Sequence, residues 1–203
     1  MADRYSQLVN APLVGTVAKQ LGLPQPVSLD RYQPGRPVVA GPVLAGGAPA
    51  GRLSKAIAKV LDSIKAERAG AEGKAKALVF DATGIADSTG LVELQRFFYP
   101  AVSRLQRSGR AIVLGTPPAE AGSIPAHTAQ RALEGFTRSL GKELQHGSTV
   151  SLVYLSPDAK PELVISGYGI VGLAFTARRS LVLTTNTSLI ELPWEVEGRP
   201  LLP

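Results

Sequence analysis

The chain contains no cysteine and only two histidines, His127 and His146. Disulfides and thiolate metal sites are therefore excluded, and a histidine-based metal centre has too few ligands. Aromatic residues make up 5% of the 203 residues. A core must then be built from Ala, Val and Leu, which suits parallel strands covered by helices on both faces; the 44% hydrophobic content is enough for one. No apolar run approaches the roughly 20 residues of a spanning helix. The first twenty residues mix polar and apolar types, with Arg4, Asn10 and Lys19 interspersed, unlike a secretory signal. A soluble cytoplasmic protein with no membrane association is expected. The basic residues are scattered, as in Arg104, Arg107 and Arg110, and no stacking aromatics interleave with them. The net charge of +6 thus reads as solvated surface rather than a nucleic-acid footprint, with an acidic carrier protein as the other partner it would suit.

What is present is an alternation of strand and helix signals. Leu8, Val9, Leu13, Val14, Val17 and Leu21 fall close to helical spacing, and Pro24 and Pro26 end that run. Residues 1–37 read as an N-terminal helix followed by a proline-rich arm. Strands are expected at Val38–Leu44, Ala77–Asp81, Arg110–Leu114, Val150–Leu155 and Ser180–Thr184. Amphipathic helices are expected at 52–66, 88–108 (kinked at Pro100) and 126–145. In the last of these, Ala132, Leu133, Phe136, Leu140 and Leu144 form the apolar stripe, while Arg138, Lys142 and Glu143 face outward. This alternation implies βαβ units, right-handed crossovers and a three-layer α/β domain over 38–185 with a mostly parallel sheet. Residues 186–203 read as a C-terminal linker, and no fixed-period repeat is visible.

The turn after the first strand reads Gly46-Gly47-Ala-Pro-Ala-Gly51-Arg-Leu53. Glycines ahead of a helix N-terminus let backbone approach a phosphate, so Gly46, Gly47 and Gly51 are candidate nucleotide or flavin contacts. Against that, Pro49 lacks an N–H and Leu53 is bulky; a glycine-rich turn without ligand is the plain alternative. Asp81-Ala-Thr-Gly84 adds Gly84 to the candidates, or simply ends a strand in an Asp and a turn glycine. Thr116 offers a hydroxyl at a strand end, although two prolines follow it and a turn role is the better reading. His127 has a pKa suited to protonating a carbonyl. Arg131, four residues on, disfavours its imidazolium and cannot itself lose a proton, so His127 reads as a helix-start residue.

The run from His127-Thr-Ala-Gln-Arg131 to Leu144, followed by Val150-Ser-Leu-Val-Tyr-Leu155, resembles the active-site helix and next strand of short-chain dehydrogenases/reductases. In that family a Tyr, the proton donor, stands four residues before a Lys; here those positions are His127 and Arg131. The third glycine of the family's turn is Leu53, its Pro-Gly after the strand is Pro157-Asp158, and the segment before Ala77 is too short for the family's second and third strands. Within the family, Leu21-Gly-Leu-Pro-Gln-Pro26, Arg31-Tyr-Gln-Pro-Gly35, Leu78 to Ile85, Ala129 to Glu143 and Leu152 to Pro161 resemble the N-terminal domain of long, two-part 3-oxoacyl-(acyl carrier protein) reductases. Trp194 to Leu202 resembles the lead-in to their catalytic domain.

The resemblance implies a flavodoxin-like or shortened Rossmann-like fold, a homodimer, and a catalytic ketoreductase domain in the same or another chain. It implies an accessory role in fatty-acid or related acyl metabolism, with acyl carrier protein as a possible partner. No catalytic residue and no cofactor are expected. Two rivals stand beside this reading: a divergent NAD(P)H-dependent reductase using Thr116, His127 and Arg131, and a nucleotide- or flavin-binding module at Gly46–Gly51.

Overall fold

The computed structural model describes residues 39–70 and 72–158, together with Gln20, Pro37 and the strand segments at 181–183, 195–196 and 199–200. The expected helix at 5–22, the rest of the proline-rich arm, and most of 159–203 lie outside the described residues.

Among the described residues, short alternating runs of sequence produce the architecture. Strands β1 (Val43–Gly47), β2 (Ala75–Asp81), β3 (Leu105–Gly115), β4 (Thr149–Leu155) and β5 (Leu181–Leu183) alternate with helices α1 (Ser54–Ser63), α2 (Val92–Val102) and α3 (Ile124–Glu143); Glu195–Val196 pairs with Arg199–Pro200 in a separate antiparallel ribbon. The five strands form one sheet, all parallel, in the order β1-β2-β3-β4-β5. Val43, Ala77, Val79, Ile112, Leu114, Val153 and Leu155 face α1, which buries Ala56, Ile57, Val60 and Leu61 against them. Leu78, Phe80, Ala111, Val113, Leu152 and Tyr154 point the other way, under α2 and α3. Burying each large aliphatic side chain is worth about 1.5–3 kcal/mol, so every helix is held mainly by its apolar stripe. The three-layer α/β, Rossmann-like expectation holds. Among the described residues no strand lies outside β1, so the flavodoxin order 2-1-3-4-5 is not the one adopted.

Element boundaries differ from the sequence reading where backbone donors are missing. The first strand lies at Val43–Gly47 rather than Val38–Leu44: Pro37 and Pro42 have no N–H, and Gly41 bends the chain at φ 148°. The second helix ends at Val102, two residues after Pro100, instead of running on to 108. Leu105 to Gly109 joins β3 through an irregular step, with Ser108 at φ 52° and its N–H on the His146 carbonyl. In α3 the buried face is Ala129, Gln130, Leu133, Thr137 and Leu140, and Ala132 is exposed.

The uniform handedness of the crossovers fails as well. From β1 to β4 the chain steps across the sheet in one direction, yet α1 covers one face while α2 and α3 cover the other. Parallel crossovers that step the same way over opposite faces have opposite hands. The general right-handed rule then makes the β1–α1–β2 crossover the exception. In the dinucleotide order 3-2-1-4-5-6 a first helix on that face reaches a strand on the far side of strand 1. Among the described residues no strand lies on that side, and the helix returns to β2 on the other side of β1.

Candidate functional site

In parallel α/β sheets ligands bind beyond the carboxyl ends of the strands. Here β1 ends at Gly47 and β2 at Asp81, which are register partners. The two following turns interlock. A Cβ on Gly47 would lie 2.9 Å from the Asp81 Cβ, one on Gly51 2.5 Å from Asp81 Oδ2, and one on Gly84 2.1 Å from the Pro49 carbonyl oxygen. Only glycine lets these backbones approach so closely.

Asp81 sits at the centre with 1% of its surface exposed. Its Oδ2 accepts the Leu53 N–H at 2.7 Å, and its Oδ1 accepts the Thr83 N–H at 3.0 Å and the Thr83 hydroxyl at 2.6 Å. The Thr83 hydroxyl oxygen in turn accepts the Arg52 N–H at 3.0 Å, and the Gly51 N–H donates to the Ala48 carbonyl at 3.1 Å. Above this turn the Arg52 guanidinium donates to the carbonyl of Leu155, the last residue of β4. Burial lowers the Arg52 pKa, while the charges of Asp81 and Glu120 act against that shift.

A second polar centre joins the ends of β2 and β3 to α3. Gln130 is 1% exposed; its Oε1 accepts the Thr116 N–H at 2.9 Å, and its Nε2 donates to the carbonyls of Ala82 and Ile85, both at 2.9 Å. Tyr154, from β4, donates its hydroxyl to the Gln130 carbonyl at 2.9 Å. Its phenol is pushed up to about 12, first by burial and then by the charge of Glu134, with Arg131 opposing. Such a phenol holds its proton throughout the physiological range, and that proton is engaged by the Gln130 carbonyl.

The sequence candidates divide accordingly. Gly47, Gly51 and Gly84 come together, but around Asp81 and the Pro49 carbonyl. Gly46 serves packing: its Cβ would be 2.6 Å from the Phe97 ring, which lies against Phe80 at a centroid distance of 5.0 Å. Thr116 is buried at the end of β3. His127 and Arg131 are exposed on α3, and Arg131 pairs with Glu134 at 2.8 Å. Asp81, an ordinary strand end by sequence, is the hub, and Arg52, Gln130 and Tyr154 join it although no motif marks them. A visible signal existed for two of them: a lone carboxylate closing the strand Ala75–Asp81, and a glutamine at the same helical spacing as Leu133, Thr137 and Leu140.

These residues do not fit a dinucleotide. Leu53, at the third glycine position, is fully buried at 0% exposure in the core under α1. The N–H groups of Gly51, Arg52 and Leu53, which would cradle a pyrophosphate, all have partners within the chain. Among the described residues no group of three or more His, Cys, Asp or Glu is placed to hold a metal, and no helix is long and apolar enough to cross a membrane.

No protein-family model and no curated protein sequence matches the chain. Solved structures do. A short-chain dehydrogenase/reductase from Serratia marcescens, in a doubly substituted form, overlaps with a TM-score of 0.53 at 19% identity, covering 75% of this chain and 100% of that one. A second doubly substituted form gives a TM-score of 0.50 at 18% identity with the same coverage of 75% and 100%. The fold is short-chain dehydrogenase/reductase-like. BdcA in complex with NADPH also overlaps, at a TM-score of 0.43 and 13% identity over 72% of this chain and 94% of that one. At such identities the likeness is one of fold, and chemistry must be argued from the side chains.

Proposed function

We propose that this chain is a catalytically silent accessory and dimerisation module, working beside a cytoplasmic catalytic domain that reduces β-ketoacyl groups carried on acyl carrier protein. The observation that carries the reading is a reductase-like scaffold whose acid–base helix presents His127 and Arg131 to solvent, with Arg131 engaged by Glu134. The buried tyrosine beside that helix, Tyr154, is committed to the Gln130 carbonyl. Among the described residues, neither His127 nor Tyr154 is free at the strand ends to donate a proton, and the turn where a dinucleotide would dock is closed. The acyl substrate class rests on the sequence resemblance to two-part ketoacyl reductases.

Turnover decides it. The purified chain is mixed with NADPH or NADH and an acetoacetyl thioester, and then added to a separately prepared ketoreductase domain of that type. The expected result is no nicotinamide oxidation by the chain alone and a more active or more heat-stable catalytic domain in its presence. Oxidation by the chain alone, abolished by His127→Ala, would instead establish a divergent reductase. Visible flavin absorbance of the purified protein would establish a flavin-binding module.

A further inference from the structure

We propose that the Asp81 carboxylate is a resident anion: it occupies, as part of the chain, the position at the N-terminus of α1 that a dinucleotide pyrophosphate takes in sheets of this type. The inference goes beyond the accessory reading and can fail separately from it. The N-terminus of a helix carries unpaired N–H groups and a partial positive charge, and both are satisfied by an anion. Here the anion is supplied by the strand next door. Asp81 Oδ2 takes the Leu53 N–H directly, and Oδ1 holds Thr83 so that its hydroxyl oxygen takes the Arg52 N–H. The Gly51 N–H is turned back onto Ala48. Three consecutive donors are therefore satisfied internally.

Space is closed as firmly as the hydrogen bonds. The 2.1 Å and 2.6 Å separations that a Cβ on Gly84 would have from the Pro49 oxygen and the Gly51 nitrogen mean that the two turns already touch backbone to backbone. Gly47 and Gly51 are spared side chains that Asp81 would strike. Ala50 takes up the left-handed conformation at φ 60° to complete the turn, a strain this surrounding over-determines. A carboxylate held in place by the fold also competes at a far higher effective concentration than dissolved phosphate. The consequence is a nucleotide-fold module whose turn into the first helix, from Gly51 to Leu53, is closed by the chain's own groups.

The test uses the whole chain with inorganic pyrophosphate as the probe, against sodium chloride at matched ionic strength. In the wild type, the amide resonances of Arg52, Leu53 and Thr83 should stay in place on titration, and Tm should not move beyond the salt control. Asp81→Ala should lower Tm by about 4–10 °C. It should then regain about 3–5 °C when formate, an anion the size of the deleted carboxylate, reaches about ten times its dissociation constant, again against the matched salt control. Should Asp81→Ala fail to fold, Asp81→Gly in a background stabilised by Gly135→Ala takes its place, with the same direction of rescue. Saturable amide shifts in the wild type overturn the proposal, because the position is then open. A folded variant with undiminished Tm, or one without rescue, overturns it equally. Reductase turnover enters none of these readouts, so this outcome and that of the accessory reading are independent.

Discussion

Gln130 offers the sharpest quantitative test of how the sheet ends are joined to α3. Replacing it by Leu keeps the volume roughly constant and removes only the amide. Three backbone groups lose a partner: the Thr116 N–H, the Ala82 carbonyl and the Ile85 carbonyl. The Ala82 carbonyl retains the Ile85 N–H at 3.1 Å, so two orphans remain. A buried orphan costs about 1–3 kcal/mol, giving roughly 2–6 kcal/mol before the gain from a more apolar side chain; a net loss of about 3 kcal/mol follows. Against a total stability of about 5–15 kcal/mol this is large, and for a domain of this size Tm should fall by about 6–12 °C. Urea unfolding followed by circular dichroism measures it, with the slope unchanged. Gln130→Glu sharpens the test, since its Oε retains the Thr116 N–H while a carboxylate would face two carbonyl oxygens. Such a carboxyl has its folded pKa raised above the unfolded value, so the variant should sit nearest the wild type below about pH 4 and lose stability as pH rises. A Gln130→Leu protein within 1 kcal/mol of the wild type, or a Gln130→Glu penalty that does not vary with pH, would refute the network (~1 kcal/mol being the smallest decisive difference).

Glycine substitutions should split sharply by position. Gly84→Ala meets backbone at 2.1 Å and should cost at least about 3 kcal/mol or abolish folding, whereas Gly135→Ala, with nothing within 4 Å on an exposed helical turn, should gain about 0.5–1 kcal/mol in the same urea assay. Tyr154 sets a pH limit. Its phenol is neutral in the fold until about 12 but ionises near 10 when unfolded, so stability should hold up to about pH 10 and fall by about 2–3 kcal/mol between there and pH 12. Tyr154→Phe should remove that window while costing about 1 kcal/mol for the lost bond to Gln130, as read by unfolding at each pH. His127→Ala and Arg131→Ala should each change stability by less than about 0.5 kcal/mol, because both side chains are exposed and the Arg131–Glu134 pair lies at the surface. A larger loss in either variant would mean that α3 presents that face to something buried.

Strands β2 and β4 were legible because a run such as Ala-Leu-Val-Phe between polar segments has only one way to be buried under two helix layers. The polar interior was not, because its contacts are made across the chain. Glycines 47, 51 and 84 announce close approach, and the natural inference from a glycine-rich turn before a helix is an approaching phosphate. What approaches is Asp81 and the Pro49 carbonyl, which lie 30 or more residues from at least one of the glycines they touch. Periodicity assigned Gln130 no role, since an amide's partners at the ends of two other strands leave no trace in the spacing of its own helix.

The handedness of the first crossover follows the same logic on a larger scale. Each βαβ unit, taken alone, predicts a right-handed connection, because a twisted strand feeds its helix back onto the sheet most easily that way. That rule governs α2 and α3, whose strands stand in their usual order. It fails for α1 because the helix keeps the face suited to a strand that is not found beyond β1 among the described residues. A left-handed return goes against the usual preference, so an independent anchor at the helix N-terminus favours it. The bonds from Asp81 to Leu53 and through Thr83 to Arg52 tie that end of α1 directly to β2, the strand it must reach. The resident carboxylate and the unusual crossover thus belong to one structural solution, and the loss of the first should weaken β1–β2 pairing before it disturbs β3 and β4. Hydrogen exchange of Asp81→Asn resolves this: the amides of β1 should lose protection ahead of those of Val113 and Leu152. Uniform loss across all four strands would show that the carboxylate is not what holds the first crossover in place.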